Sequence, residues 1–285
     1  MAPRISRDMP DKPKVDVWGW YDHLLDKELS QNTIASYMTT MRLFLHDYDE
    51  VTKANVIDYK RKLIDGGKAV KTINNRIIAM NQYAKYAGIP CDVKTIKQQK
   101  AYSLENVITV AQKDRLLDGL ARDGDMQGWA MVSTLASTGV RVGELVQLKK
   151  PFISDGSQLI TNKGKTRKVY APRALVDAVS GYYSTVGGDW LFFPRRGASA
   201  DGHGPLTCEA VGGRLRAYAR RYGVPVEVCH PHSFRHMFGQ EFMRRNGNIT
   251  LLADLMGHSS VATTQIYTRM SEEEQMRQLD EAVTW

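Results

Sequence analysis

The sequence predicts a mainly α protein of two domains, an all-helical one followed by a mixed α+β one with a small antiparallel sheet. Three observations carry that expectation. Apolar residues recur at helical spacing almost without interruption from Val15 to Gly88. A stretch lacking any sustained period, 89–106, with Pro90, Lys94, Lys97 and Lys100, then separates that block from a second one and reads as a linker. Within the second block, helical spacing gives way once, between Phe152 and Tyr170, to short runs joined by turn residues. A chain of 285 residues is also long for a single core.

Met1 to Lys14 holds three prolines and mixed charges with no apolar period, and is expected to be a loose arm over 1–14. Val17, Trp20, Tyr21 and Leu24 form a first stripe. Ile34, Tyr37, Met38, Met41 and Leu45 form a second, after a start signal at Ser30. Thr52 caps a third helix carrying Val56, Tyr59 and Leu63. A fourth runs through Val70, Ile73, Ile77 and Ala84 and stops at Gly88, before Pro90. Short connections between short helices give a helical domain over 15–88. Lys60, Arg61, Lys62, Lys68, Lys71 and Arg76 stud its second half, which fits a solvated face as well as a DNA contact.

The second domain spans 107–285. Thr109-Val110-Ala111-Gln112 is a capping box ahead of Leu116, Leu117 and Leu120. The next helix, with Trp129, Val132 and Leu135, ends at Thr138-Gly139. Arg141 opens a fresh helix with Glu144 one turn below it. Phe152-Ile153 reads as strand, followed by the Asp155-Gly156 turn. Gln158–Thr161 and Arg167–Tyr170 then form a hairpin around Asn162-Lys163-Gly164-Lys165, crowding Lys163, Lys165, Arg167 and Lys168 at one tip. Leu175, Val176, Val179 and Tyr182 make another helix. Thr207 caps one with Val211, Leu215 and Tyr218 inside and Arg214, Arg216, Arg220 and Arg221 on or near its outer face.

Composition narrows the function. Hydrophobic residues at 42% and charged ones at 25% describe a soluble globular chain, and no apolar run approaches membrane-spanning length. A net charge of +8 points to a polyanionic partner, although a global excess alone is a weak signal. Cys91, Cys208 and Cys229 are odd in number and far apart, which suits reduced thiols in a cytoplasm. Cys229-His230-Pro231-His232 has a zinc-like look, but no matching ligand pair exists elsewhere, so no metal is expected.

The last third carries the chemistry. In Pro231-His232-Ser233-Phe234-Arg235-His236, His232 and Arg235 share one face of a helix start, where free N–H groups and the dipole favour an anion. Leu255-Met256-Gly257-His258-Ser259 ends a short helix, and Tyr267 follows nine residues later. Taken singly each fragment has a bland reading: a solvated HxxR pair, a helix stop, a core tyrosine. Together, basic groups at a helix start beside a tyrosine suggest a phosphate site with a nucleophile.

With Thr138-Gly139-Val140-Arg141-Val142-Gly143-Glu144-Leu145, the Asn162–Lys165 turn, the 231–236 block, the 255–259 block and Thr263-Thr264-Gln265-Ile266-Tyr267-Thr268 in that order, the chain resembles a tyrosine recombinase of the phage-integrase family from about Val15 onward. Gly143 and Met256 are mild departures that remove no charge or nucleophile. The resemblance implies an all-helical core-binding (SAM-like) domain and a catalytic domain with Arg141, Lys163, His232, Arg235, His258 and Tyr267 as catalytic residues, supported by Glu144. Tyr267 would form a 3′-phosphotyrosyl link, His232 would take its proton, and Lys163 would protonate the leaving 5′-oxygen, with Lys165 left as an alternative. Arg141, Arg235 and His258 would hold the phosphate. It implies double-stranded DNA as substrate, no cofactor, and a tetramer on two sites. A chain starting almost at the helical domain favours the simple two-domain type. The helix expected over 271–285, with a capping box at Ser271–Glu274 and a Met276, Leu279, Val283 stripe, reads on pattern alone as folding back on its own domain or docking elsewhere, and the resemblance implies that it passes between subunits. Integration and excision of a mobile element is the expected role, with dimer resolution or inversion by the same chemistry, a non-catalytic DNA-binding regulator, and a type IB topoisomerase as rivals.

Overall fold

Helix starts in this chain are written in capping side chains, and the computed structural model uses nearly all of them. It describes residues 14–97, 106–162, 164–194, 204–258 and 260–267, together with residues 276, 280, 281 and 283. The chain divides into two units, 1–100 and 101–285.

In the first unit, α1 (Val17–Asp26), α2 (Gln31–Asp47) and α3 (Lys53–Asp65) begin where Asp16, Ser30 and Thr52 accept a backbone N–H from the residue three positions on. The fourth helix, α4 (Val70–Tyr86), starts at Ala69 without a side-chain cap. Their apolar stripes converge on Trp20, which is fully buried, stacked on Tyr37 at 6.0 Å and edge-on to Tyr83 at 5.3 Å. Three of the six basic residues singled out on this domain are engaged locally. Lys60 donates to the Lys94 carbonyl, Lys62 pairs with Asp47 and Asp58, and Arg76 donates to the Tyr59 hydroxyl. Arg61, Lys68 and Lys71 are exposed.

The expected linker divides differently from the sequence reading. Residues 89–97 run extended over the first unit with Cys91 and Val93 in its core. Two asparagines of α4 cause this. Asn81 donates to Val93 O (2.9 Å) and accepts from Val93 N (3.1 Å), and Asn74 does the same for Ile96 (2.9 and 2.8 Å). Each amide presents both a donor and an acceptor, as a neighbouring strand would. Residues 98–105 and most of the 1–14 arm lie outside the described residues.

In the second unit, α5 (Val110–Arg122) opens with the expected Thr109–Gln112 capping box, and α6 (Met126–Thr138) starts at Asp125 and ends at Gly139. Then come α7 (Val142–Leu145), α8 (Pro151–Ser154), the hairpin β1 (Ser157–Asn162) and β2 (Lys165–Tyr170), and α9 (Arg173–Thr185). Phe152 and Ile153, expected as strand, are helical: Pro151 sits at the first helical position and both side chains are buried. The hairpin register sets Asn162 opposite Lys165 and Ile160 opposite Arg167. Thr207 caps α10 (Cys208–Tyr222). Arg214 is a correction to the outer-face reading, since it turns inward to Gln127 Oε1 and the Phe193 carbonyl. Last come α11 (Pro231–Asn246), α12 (Ile249–Met256), α13 (Val261–Thr264) and a 3-10 turn, Gln265–Tyr267. One core around α6, with Leu135, Phe152, Ile160, Val179, Leu215 and Phe234 inside it, joins the helices to the hairpin. Most of the expected 271–285 helix lies outside the described residues; Met276 and Val283 of its stripe are exposed.

Truncating the aromatic hub of the first unit should be expensive. Trp20→Ala is expected to lower stability by about 3–5 kcal/mol, the range for emptying a large buried aromatic site. Urea denaturation followed by helical circular dichroism measures it, and a loss below about 1 kcal/mol would show that the site collapses onto Tyr37 and Tyr83.

Candidate active site

Arg141 is the N-cap of α7, two residues after Gly139, which ends α6. Glu144 reaches back to it with both oxygens: Arg141 N donates to Oε2 (2.8 Å) and Arg141 Nη1 to Oε1 (3.0 Å). The remaining Nη2 donates to the carbonyl of Gly257 (3.1 Å). Glu144 is 2% exposed and is shared with Arg167 of β2, whose Nε and Nη2 donate to Oε1 (3.1 Å) and Oε2 (2.7 Å).

Arg235 lies one turn into α11 and is 3% exposed. Its Nη1 donates to Gly139 O (2.6 Å) and its Nη2 to Met256 O (2.7 Å), both at helix C-termini. The same Nη2 lies 2.8 Å from His258 Nε2, which must therefore accept. The proton then sits on Nδ1, which donates to Thr264 Oγ1 at 2.7 Å. Gly257 reaches this turn with φ +61°, and a Cβ there would strike Arg167 Cδ at 2.3 Å, so only glycine fits.

Tyr267 is 7% exposed, and its hydroxyl is 2.9 Å from His236 Nδ1 in a shared hydrogen bond. Its ring lies along α11 over Gly239, where a Cβ would come within 2.7 Å. His232 packs edge-on against His236 at 5.1 Å. Arg141, Glu144, Arg235, His258, Tyr267 and His232 are thus gathered in one place from four stretches of the second unit, whereas Lys163 lies outside the described residues. His236 and Arg167 were not among the residues singled out for catalysis. His236 stands at i+4 from His232, on the same helical face. Arg167 pairs with buried Ile160, so strand alternation aims its charge inward. Cys229 and His230 are both otherwise occupied: the buried thiol donates to Leu215 O, and the His230 ring accepts from Ser233 N to cap α11.

Three guanidinium groups facing one carboxylate leave the cluster positive. Burial works to raise the Glu144 pKa, but its hydrogen bonds from Arg167 and Arg141 and their charges outweigh that and hold it below the ordinary value. Burial, then the Arg141 charge, lowers Arg235 to about 10, so it stays charged at neutral pH. Burial lifts Tyr267 to about 12, against the pull of Arg235 and Arg141. Burial is also the first cause that brings His236 and His258 down to about 4, aided by His232 and Arg235 for the former and by Arg235, Arg141 and Arg167 for the latter.

Those two imidazoles make stability depend on pH. Their folded pKa lies below the unfolded value of about 6.5, so between roughly pH 6.5 and 4 the unfolded chain binds more protons. The stability they contribute is complete above that window and is lost as pH falls through it. The melting temperature should therefore drop from pH 7 to pH 4.5, and drop less in His236→Gln; identical pH profiles would show that His236 titrates alike in both states.

Residues 106–274 match the phage integrase family, and residues 17–88 match the N-terminal SAM-like domain of phage integrase. The tyrosine recombinase XerA of Pyrococcus furiosus is 28% identical over 249 residues, covering 85% of each chain. XerC of Herpetosiphon aurantiacus is 30% identical over 275 residues, covering 87% of each. In fold, the chain is similar to the Tn1549 transposon integrase in complex with transposon right end DNA, at a TM-score of 0.70 and 18% identity over 93% of this chain and 99% of that one. Among the described residues, no helix is long and apolar enough to cross a membrane. With both of its parts matched in order, the chain belongs to the phage integrase family and is a tyrosine recombinase.

Proposed function

We propose that this chain is a site-specific recombinase that cuts and rejoins double-stranded DNA in the cytoplasm, with Tyr267 as nucleophile, in the integration and excision of a mobile element. The observation that carries it is the arginine cage beside the tyrosine. Arg235 and Arg141 are fixed by Gly139 O, Met256 O and Gly257 O before any substrate arrives, so a phosphate meets donors that need no reorganisation. Guanidinium suits non-bridging phosphate oxygens in geometry and stays charged.

The Tyr267 oxygen attacks the scissile phosphorus and its proton passes to His232, with His258 and the two arginines on the phosphate. The bond to the 5′-oxygen breaks, Lys163 supplies that oxygen's proton, and a 3′-phosphotyrosyl link remains. The 5′-hydroxyl of a partner strand then attacks the link and releases the phenol. Because the ester keeps the bond energy, no nucleotide is consumed. The chain's own cations supply the charge, so no metal is needed. Catalysis on paired sites takes four subunits. The tail helix of each subunit docks on its neighbour, and a groove of about 450 Å³ between α5, α6 and α11, lined by Leu117, Met237, Phe238 and Phe242, suits its apolar stripe. Among proteins of similar fold, the Tn1549 integrase supports the mobile-element role. A regulator that had kept only DNA binding would be expected to have lost Tyr267 or an arginine.

Sequencing DNA trapped covalently on the chain in cells tests the role: element ends are expected, and a single chromosomal locus instead would indicate dimer resolution. Tyr267→Phe should bind that DNA yet give no adduct that survives denaturing electrophoresis. Arg141→Ala or Arg235→Ala should slow adduct formation by about two or more orders of magnitude, the scale for losing one oxyanion donor, with binding less affected and excess EDTA without effect. Adduct from the phenylalanine variant would move the nucleophile elsewhere. Deleting 276–285 should spare binding to one site and impair pairing of two.

A further inference from the structure

We propose that Arg167 is a positioning residue that keeps Arg141 available for the phosphate by occupying Glu144. The inference rests on reading Arg141 as a phosphate ligand. An ionised carboxylate offers about four acceptor positions, and those of Glu144 are divided in a definite way. Arg167 takes one on each oxygen, Nε on Oε1 at 3.1 Å and Nη2 on Oε2 at 2.7 Å. The backbone of Arg141 takes a second position on Oε2, at 2.8 Å, and only Nη1 of its guanidinium takes the other on Oε1, at 3.0 Å.

Arg141 is therefore barred from a two-pronged grip on Glu144. Its side chain stays 36% exposed, whereas that of Arg167 is 13% exposed. Without Arg167, a carboxylate that is only 2% exposed would lose two charged donors, and burial makes such a loss costly. The nearest replacement is the rest of the Arg141 guanidinium, drawn inward into the fork it is now denied. The same Arg167 side chain donates through Nη1 to Leu255 O and packs its Cδ against Gly257. One residue of β2 is thereby joined to the anchor of Arg141 and to the turn presenting His258.

Loss of Arg167 should then do harm through the Glu144 charge, which separates positioning from mere support. The test is single-turnover adduct formation by the full chain on a nicked duplex carrying the sequence recovered from trapped DNA. Arg167→Gln is expected to form adduct about a hundredfold more slowly, on the scale of losing one phosphate donor, with little change in the DNA dissociation constant. Adding Glu144→Gln to that variant should restore the rate about tenfold, since a neutral amide no longer draws Arg141 inward. Arg167→Lys, which keeps the charge but not the fork, should fall between Arg167→Gln and wild type and serves if the glutamine variant fails to fold. A double variant no faster than Arg167→Gln, or a lysine variant as fast as wild type, would overturn the proposal. Tyr267→Phe run alongside keeps the readings apart: adduct from it would overturn the choice of nucleophile, whereas a clean blank with wild-type speed from Arg167→Gln would overturn only the role of Arg167.

Discussion

A guanidinium buried in a protein must find acceptors for its N–H groups, and Arg235 finds them at the ends of two helices. Helix C-termini leave carbonyls unpaired and carry the negative end of the dipole, so they are natural seats for a cation. Gly139 closes α6 and Met256 is the last residue of α12, and both offer their oxygens to Arg235. The next carbonyl along, that of Gly257, holds Arg141. Much of the second unit can be understood as what brings these ends together: α11 packs along α6, and the short α12 and the 3-10 turn with Tyr267 fold back over α11. The cost of burying Arg235 is offset by carbonyls that would otherwise need other partners.

How much of this was legible in the sequence depended on how local the signal was. Caps at Ser30, Thr52, Thr109 and Thr207 are read from three or four residues, and each marks a helix start. The blocks around Arg141, Arg235, His258 and Tyr267 were legible because each motif is contiguous. What escaped depends on distant partners. Phe152-Ile153 is apolar and β-branched enough to read as strand, but Pro151 and the two turns around it make it helical. Residues 89–97 have no period of their own because Asn74 and Asn81, more than ten positions away, hold their backbone. Arg214 looked like one of a surface cluster until Gln127 and Phe193 O gave it an inward partner. Arg167 could have been found from the pleat alone, as an arginine on the same face as Ile160 and Val169.

As the proposed nucleophile, Tyr267 is held in a state opposite to the one attack requires. A phenol with a pKa of about 12 is ionised to only about one part in 10⁵ at pH 7. The pull of Arg235 and Arg141 does not overcome burial here, and a phosphodiester bound between those arginines would absorb part of that pull. In the proposed reaction the proton then leaves as the bond to phosphorus forms, not before it. The imidazole bonded to Tyr267 in the free chain, His236, is held near 4 and is a weak acceptor until negative charge arrives beside it. A phosphate supplies that charge, favouring the protonated forms of His236 and His258. Burial remains the larger cause of the low His236 and His258 values, and only the neighbouring charges that add to it are offset by a phosphate. In the proposed reaction, a phosphodiester in place therefore makes His236 a better acceptor for the Tyr267 proton than it is in the free chain.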